Sequence, residues 1–321
     1  MKKNKIEGII PFNDFFFRSC YYHQLISGLS CFGIKKEQVL LNAITLINDN
    51  YVVGGGGELD ESKLEKTFGY KRKHCNIDKS KLIKSIDAGN PLIVGVDCFY
   101  LESRPDSYKI QHMAHYILVY GYDLEKETLN IVDHQYRNSM DYTEKIVSLE
   151  NILYANKMYR KGVLKRRLSC YILEKVKKSE KYDFWNSFDN EKLNHNREYA
   201  LKNLDNLRMM LKSDFYKIDE KIDEIILYLI NIREFYLILS EMEIFRDEHE
   251  GKDDITALMS GYYNLLSVFW KVRAQINYEY LRKRTDIVLK KLDEIEANEN
   301  KVYAFLKEER AKYELLQTDR Y

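Results

Sequence analysis

Cysteine is scarce in this sequence, and the few cysteines form no pattern. Their number is odd, they lie far apart, and no Cys-x-x-Cys pair occurs among them. Disulfide frameworks of secreted proteins are built from dense, even-numbered sets. We therefore expect free thiols in a reducing, cytoplasmic setting. The five are Cys20, Cys31, Cys75, Cys98 and Cys170.

Long apolar runs and an excess of one charge are also missing. No window approaches the roughly 20 apolar residues that span a bilayer, and the basic N-terminus does not continue into the apolar core of a secretory signal. The net charge is +1. The charges are unevenly distributed along the chain, because residues 1–178 contain 28 Lys and Arg against 21 Asp and Glu. The sequence predicts a soluble protein that binds neither a membrane nor nucleic acid, whose binders are far more basic.

Proline and glycine are nearly absent from the second half of the chain. All three prolines lie at or before Pro105, and eleven of the fourteen glycines lie at or before Gly121. Turn-rich sequence therefore gives way to sequence that favours helices. We place the boundary in the polar stretch 176–185. The prediction is one domain over residues 1–178 and a second over residues 179–321.

The second domain has the spacing of long amphipathic helices. Apolar residues from Ile218 to Tyr236 recur every three or four positions, which is one continuous helical stripe. Breaks near Ser213, Gly251 and Arg282 indicate about four antiparallel helices. Such a bundle serves as a stability or dimerisation module, which would make the protein a homodimer, or as a lid or docking surface that completes a substrate site. Both interpretations stay open.

The first domain mixes helices with short strands rich in β-branched and aromatic residues. Helices come first, with Ser19 and Gly33 as candidate start and stop signals around the first of them. The order of helices followed by an antiparallel sheet predicts an α+β fold. The predicted helices cover 20–32, 37–49 and 78–88, and the predicted strands cover 91–97, 115–123, 128–133 and 168–176.

Three residues of this domain are candidates for catalysis. Cys20 lies at the predicted start of a helix, where partial positive charge lowers the pKa of a thiol. His115 opens one strand and Asp133 ends the next strand of a hairpin, so both lie at the same edge of the sheet. A thiol, a base and a carboxylate that orients the base make up a nucleophilic triad. Asp123 competes with Asp133 for this role, although its position favours a turn.

This pattern resembles the papain-like cysteine protease fold. Within that fold, residues 12–175 resemble a peptidase family that trims bacteriocin leaders, and more closely the butirosin-biosynthesis type of acyltransferase. They are also similar to the amide-forming synthetase of closthioamide assembly. The resemblance implies that Cys20 is the nucleophile, His115 the base and Asp133 the orienting acid.

The reaction that this resemblance implies is acyl transfer in the biosynthesis of a natural product such as an antibiotic. The acyl chain would come from the phosphopantetheine thioester of an acyl or peptidyl carrier protein and pass to a small amine. No cofactor beyond that carrier-bound group is implied. The pattern departs from the papain-like peptidases at the oxyanion hole, because no Gln precedes Cys20. Asn13 is the candidate donor there, whereas Asp14 cannot donate while ionised.

Other motifs and alternatives stay open. The run GGGGE at 54–58 lacks the form of a nucleotide site and predicts a loop at the rim of the cleft. Basic clusters at 71–73, 160–161 and 165–167 are solvated surface or a docking face for an acidic carrier. Cysteine peptidase activity is the alternative function, and a catalytically inactive binding scaffold is a third. The pairs Cys20/His23 and His112/His115 would instead supply four zinc ligands.

Overall fold

In a computed structural model the chain divides into two units. The first comprises Met1–Val39 and Glu61–Tyr182, and the second comprises Leu40–Asp60 and Asp183–Tyr321. The residues that the structure describes are 2–13, 20–46, 57–59, 61–134, 141–166, 169–176, 185, 190–240, 251–275 and 278–318.

The first unit is organised around one antiparallel sheet. Its strands are β1 (Lys3–Lys5), β4 (Tyr70–Cys75), β5 (Leu92–Asp97), β6 (Ala114–Asp123), β7 (Thr128–His134), β8 (Tyr142–Ser148) and β9 (Cys170–Lys175). They pair in the order β4-β9-β5-β6-β7-β8, and β1 joins the far end of β6. The predicted α+β character and antiparallel sheet are confirmed.

Within the described residues, five helices accompany these strands in the chain, and the second of them continues from the first unit into the second. They are α1 (Cys20–Ser30), α2 (Lys36–Ala43), α3 (Glu61–Phe68), α4 (Lys79–Asp87) and α5 (Leu149–Lys161). α1 packs on β5 and β6. Gly28 allows this approach, because a Cβ there would lie 2.6 Å from Leu173 and 3.2 Å from Leu118. Apolar side chains of β5, β6 and β7 form the core together with those of α4 and α5, including Val94, Ile117 and Ile131.

Local signals in the sequence set several helix boundaries. The Asp78 carboxylate accepts a hydrogen bond from the Lys81 amide at 2.8 Å and caps α4, which is the usual role of Asp before a helix. α4 is followed by Gly89 in the left-handed region, with φ of 75°. Ser148 caps α5 in the same way, at 3.2 Å from the amide of Asn151.

The second unit is a bundle of long helices with one small β-ribbon. The ribbon pairs β2 (Ile44–Leu46) with β3 (Gly57–Leu59). The helices are α6 (Asn190–Lys212), α7 (Tyr216–Ser240), α8 (Gly251–Gln275), α9 (Tyr278–Arg282) and α10 (Thr285–Thr318). Among the helices described, none combines the length and the apolar run that crossing a bilayer requires.

Ion pairs and close contacts show that the long helices run antiparallel. Along α6 and α10, Arg197 bonds to Asn300 while Arg208 bonds to Asp293. α8 and α10 run in opposite directions for the same reason, since Gly251 lies against Phe305 and Gly261 against Ile295. The bundle predicted from the apolar stripe is therefore present.

Several expectations differ from the structure. The helix predicted over 37–49 ends at Ala43, because Ile44–Leu46 pairs with Gly57–Leu59 as a strand. That pairing also makes the last part of the GGGGE run a strand, whereas residues 54–56 lie outside the described residues. The second unit includes residues 40–60, which the predicted division into 1–178 and 179–321 assigned to the first domain. Most of the predicted linker, 177–184, also lies outside the described residues.

Candidate active site

Cys20 is the first residue of α1, and its side chain is partly buried. The first turn of a helix has amide groups without intrahelical partners and a partial positive charge. A thiolate is stabilised at such a position. The predicted cap residue, Ser19, lies outside the described residues.

His115 and Asp133 are brought together by neighbouring strands. Nε2 of His115 lies 2.7 Å from Oδ1 of Asp133, and both side chains are buried. β6 pairs with both β5 and β7, and His115 is its second residue. Since β7 runs in the opposite direction, its last residues reach the end where β6 begins. The register of the sheet therefore forms this pair.

Contact with the thiol completes the arrangement. Burial raises the pKa of Cys20, but the charge of His115 and hydrogen bonds from the His115 side chain and the Tyr116 backbone outweigh it, so the pKa lies below its ordinary value. Burial lowers the pKa of His115, whereas the charges of Asp133 and Cys20 raise it to about 9. The lowered pKa of Cys20 and the raised pKa of His115 together favour a thiolate–imidazolium pair. Because Nε2 is bonded to Asp133, Nδ1 remains for the thiol.

Two cations next to Asp133 were not predicted from the sequence. Arg104 is fully buried, and its Nη1 lies 4.0 Å from Oδ1 of Asp133. Lys145 lies 3.8 Å from Oδ2 of the same carboxylate. Burial raises the pKa of Asp133, but His115, Lys145 and Arg104 together hold it below its ordinary value. Arg104 is itself held by Asp106, which accepts two hydrogen bonds of 3.1 Å.

His134 extends the same network. Nη1 of Arg104 lies 3.1 Å from Nε2 of His134. Because arginine can only donate, that ring nitrogen accepts and the imidazole is neutral. The His134 ring stands edge-on to His115, with centroids 4.8 Å apart. Lys145 donates to the His134 carbonyl at 2.9 Å, so one lysine ties the backbone and the carboxylate at the end of β7.

Several tyrosines lie near the thiol. Tyr116 and Tyr159 lie close enough to Cys20 for its charge to act on them, and their hydroxyls are 3.2 Å apart. Tyr21 and Tyr171 belong to the same group of tyrosines, and their ring centroids are 5.1 Å apart. Arg72 donates to the Tyr21 hydroxyl at 3.0 Å and also pairs with glutamates of α3. Arg72 is thus built into the unit and is not a member of a solvated basic cluster.

The remaining predicted site residues have other partners in the structure. Asn13 accepts from the Tyr142 amide at 2.7 Å and donates to its carbonyl at 3.1 Å, which fixes the start of β8. Its role as an oxyanion donor stays a prediction. Asp123 accepts from the amides of Glu125 and Lys126 in the β6–β7 turn. The structure thus places Asp133, and not Asp123, beside His115.

The four proposed zinc ligands are not assembled as a set. Nδ1 of His23 lies 2.8 Å from the Phe12 carbonyl, and Nδ1 of His112 lies 2.8 Å from Oδ2 of Asp97. Within the described part of the chain, the possible metal-binding group is instead His115, Asp133 and His134. The cations of Arg104 and Lys145 already neutralise that carboxylate, which opposes a further positive ion.

A family model matches part of the chain. The family model described as butirosin biosynthesis protein H, N-terminal, matches residues 50–134. That range contains His115 and Asp133, and it ends at the last residue of β7. No curated protein matches the sequence.

Proposed function

We propose that the first unit is a papain-like acyltransferase in which Cys20 accepts an acyl group from a carrier-protein thioester and passes it to an amine. The observation that carries the proposal is the connected set of Cys20, His115 and Asp133. Thiol-based acyl transfer needs a thiolate next to an imidazolium that is itself hydrogen-bonded to a buried carboxylate. The match to the butirosin biosynthesis model supports a biosynthetic role.

The reaction follows from the charge state of the pair. The Cys20 thiolate attacks the thioester carbonyl, and amide groups at the start of α1 stabilise the oxyanion, with Asn13 as a candidate side-chain donor. The carrier thiolate leaves and takes the proton from His115. An amine then attacks the acyl–Cys20 thioester, gives its proton to His115, and leaves as an amide. The Cys20 thiolate is regenerated, and no cofactor is consumed.

The buried network assigns distinct roles to the other residues. Asp133 holds Nε2 of His115 and stabilises the imidazolium. Arg104 and Lys145 keep Asp133 ionised in a buried place, where an isolated carboxylate would be protonated. The proposed partner is an acyl or peptidyl carrier protein. Exposed cations near the end of α5, including Lys161 and Lys165, would speed the approach of an acidic carrier protein by electrostatic attraction.

The test uses acyl-pantetheine thioesters with acetyl, butyryl and benzoyl chains as probes and propylamine as acceptor. Wild-type protein is expected to gain the acyl mass on Cys20 and to lose it as the amide. Cys20→Ala should abolish both steps, and His115→Ala should slow loading by about 100-fold or more. Asp133→Asn should cost less than His115→Ala. Cys31→Ala is the matched control and should load normally.

The same triad would also serve a cysteine peptidase, and the acceptor distinguishes the two functions. Discharge to the free acid at an equal rate with or without amine would favour hydrolysis. Loading that persists in Cys20→Ala would contradict the proposal altogether. A carrier protein bearing the preferred acyl group can then be compared with the pantetheine probe. The closthioamide-type amide synthetase is the specific form of this proposal, for which the amide product is the criterion.

A further inference from the structure

Two cysteines other than Cys20 lie opposite each other in the sheet of the first unit. Cys75 ends β4 and Cys170 begins β9, and the register places them directly opposite each other. Their side chains are joined by a hydrogen bond. Directly opposed residues of an antiparallel pair have Cα atoms about 4.5 or 5.5 Å apart, and disulfides need about 4.4–6.8 Å. The strand register therefore already meets the distance requirement of a disulfide.

The two thiols differ in access and acidity. Cys75 is partly exposed, whereas Cys170 is fully buried. The hydrogen bond from Cys170 lowers the pKa of Cys75 against the effect of burial, and Lys81 and Lys73 lower it further. Burial raises the pKa of Cys170 well above its ordinary value. Cys75 is thus the accessible thiol with the lowered pKa, and Cys170 is the buried thiol next to it.

The other cysteines outside the active site lack this combination. Burial is the main reason that the pKa of Cys31 and that of Cys98 are both raised to about 12. Neither faces another cysteine in a described strand pair. A mixed disulfide on either of them would therefore have no opposed strand cysteine to resolve it, which is the step that the register of Cys75 and Cys170 allows.

We propose that Cys75 and Cys170 form a reversible redox pair that exchanges with low-molecular-weight disulfides. The Cys75 thiolate attacks one sulfur of an external disulfide RSSR, and the first RS⁻ leaves. The Cys170 sulfur then attacks the Cys75 sulfur of the mixed disulfide, and the second RS⁻ leaves. The two protons of the cysteines go to the departing thiolates, so one RSSR is reduced to two RSH while the pair is oxidised. This site is independent of the proposed acyl transfer.

The experiment uses the full chain in buffers of glutathione and glutathione disulfide at neutral pH. Free thiols are alkylated before trypsin digestion. Trypsin cleaves after Lys73 and Lys79 and after Arg167 and Lys175, so the two cysteines fall in different peptides. The expected result is one linked peptide pair, with the loss of two hydrogen atoms from the intact mass, reversed by dithiothreitol.

Variants separate the two steps. In Cys170→Ala, glutathione should remain on Cys75, because no thiol is left to displace it. Cys31→Ser is the control and should form the same linked pair as the wild type. A stable glutathione adduct on Cys75 of the wild type, with no link to Cys170, would overturn the proposal. So would a link that forms only in urea, and neither result depends on whether Cys20 transfers acyl groups.

Discussion

Glu299 lies in the core of the helical bundle and makes the stability of that unit depend on pH. Its buried carboxyl group accepts hydrogen bonds from the hydroxyls of Tyr236 and Tyr262, the latter at 2.5 Å. Burial raises the pKa of Glu299 to about 7, although both tyrosine hydrogen bonds lower it. The folded chain therefore holds this proton more tightly than the unfolded chain, in which the pKa is ordinary.

The sign and size of the effect follow from that difference. A raised pKa contributes stability that is complete below the unfolded value of 4.5 and is lost as pH rises through about 7. Each unit of difference is worth about 1.4 kcal/mol. Over this interval the free energy of unfolding should fall by about 3 kcal/mol from this group. Glu299→Gln is neutral at every pH, so its unfolding free energy should lack this decrease.

Tryptophan fluorescence makes the measurement specific to the bundle. The chain has two tryptophans, Trp185 and Trp270, and both belong to the second unit. Urea unfolding is followed at pH values from about 4.5 to about 8. Across this range, the free energy of unfolding of the wild type should fall by about 3 kcal/mol relative to that of Glu299→Gln. Glu308→Gln, an exposed change on the same helix, is the control. Parallel curves for wild type and Glu299→Gln would refute the reasoning.

Three further predictions concern the first unit. Iodoacetamide should label Cys20 at about pH 6 faster than Cys31, because an ordinary thiol is mostly protonated there; His115→Ala should remove this advantage, and equal labelling in peptide maps would contradict the ion pair. Arg104→Met should lower the free energy of unfolding by about 3 kcal/mol, the low end for a broken buried pair, since Asp133 keeps His115 and Lys145 as partners; unchanged hydrogen exchange in β7 would argue against it. Gln24→Leu should raise stability by about 1–2 kcal/mol, since the buried Gln24 amide has no hydrogen-bond partner among the described residues; a lower melting temperature would contradict this.

The elements that the sequence predicted best are those whose pattern and boundary signals agree. β5, β6 and β7 are continuous apolar runs between turns, and α4 lies between a capping Asp and a Gly. β4 was missed because its sequence, Tyr-Lys-Arg-Lys-His-Cys, has mostly exposed polar side chains. Among the described strands it pairs with β9 alone, at one end of the sheet, where a strand needs little apolar surface. Ile44–Leu46 was misassigned because its partner, Gly57–Leu59, is not adjacent in sequence.

The site was predictable to a similar extent. Cys20, His115 and Asp133 could be found because a helix start and two strand ends carry them. Arg104 could not, because it lies in a loop with an ordinary turn sequence, and nothing local indicates that a charged residue there is fully buried. Its burial depends on Asp106 and on the end of β7, which is 30 residues away. Lys145 could not be predicted as part of the site either, because its strand, β8, was not predicted.

The division of the chain into units has a consequence for synthesis on the ribosome. Residues 40–60 belong to the second unit, yet the rest of that unit begins only at Asp183. At roughly 5–20 residues per second, about 6–25 s pass before the first of those residues is made. During that interval β2 and β3 can pair with each other, but α6, the helix that contacts β2, does not yet exist. A released chain that ends at residue 182 reproduces this stage, and we expect slow hydrogen exchange in its β5 and β6 but not in β2.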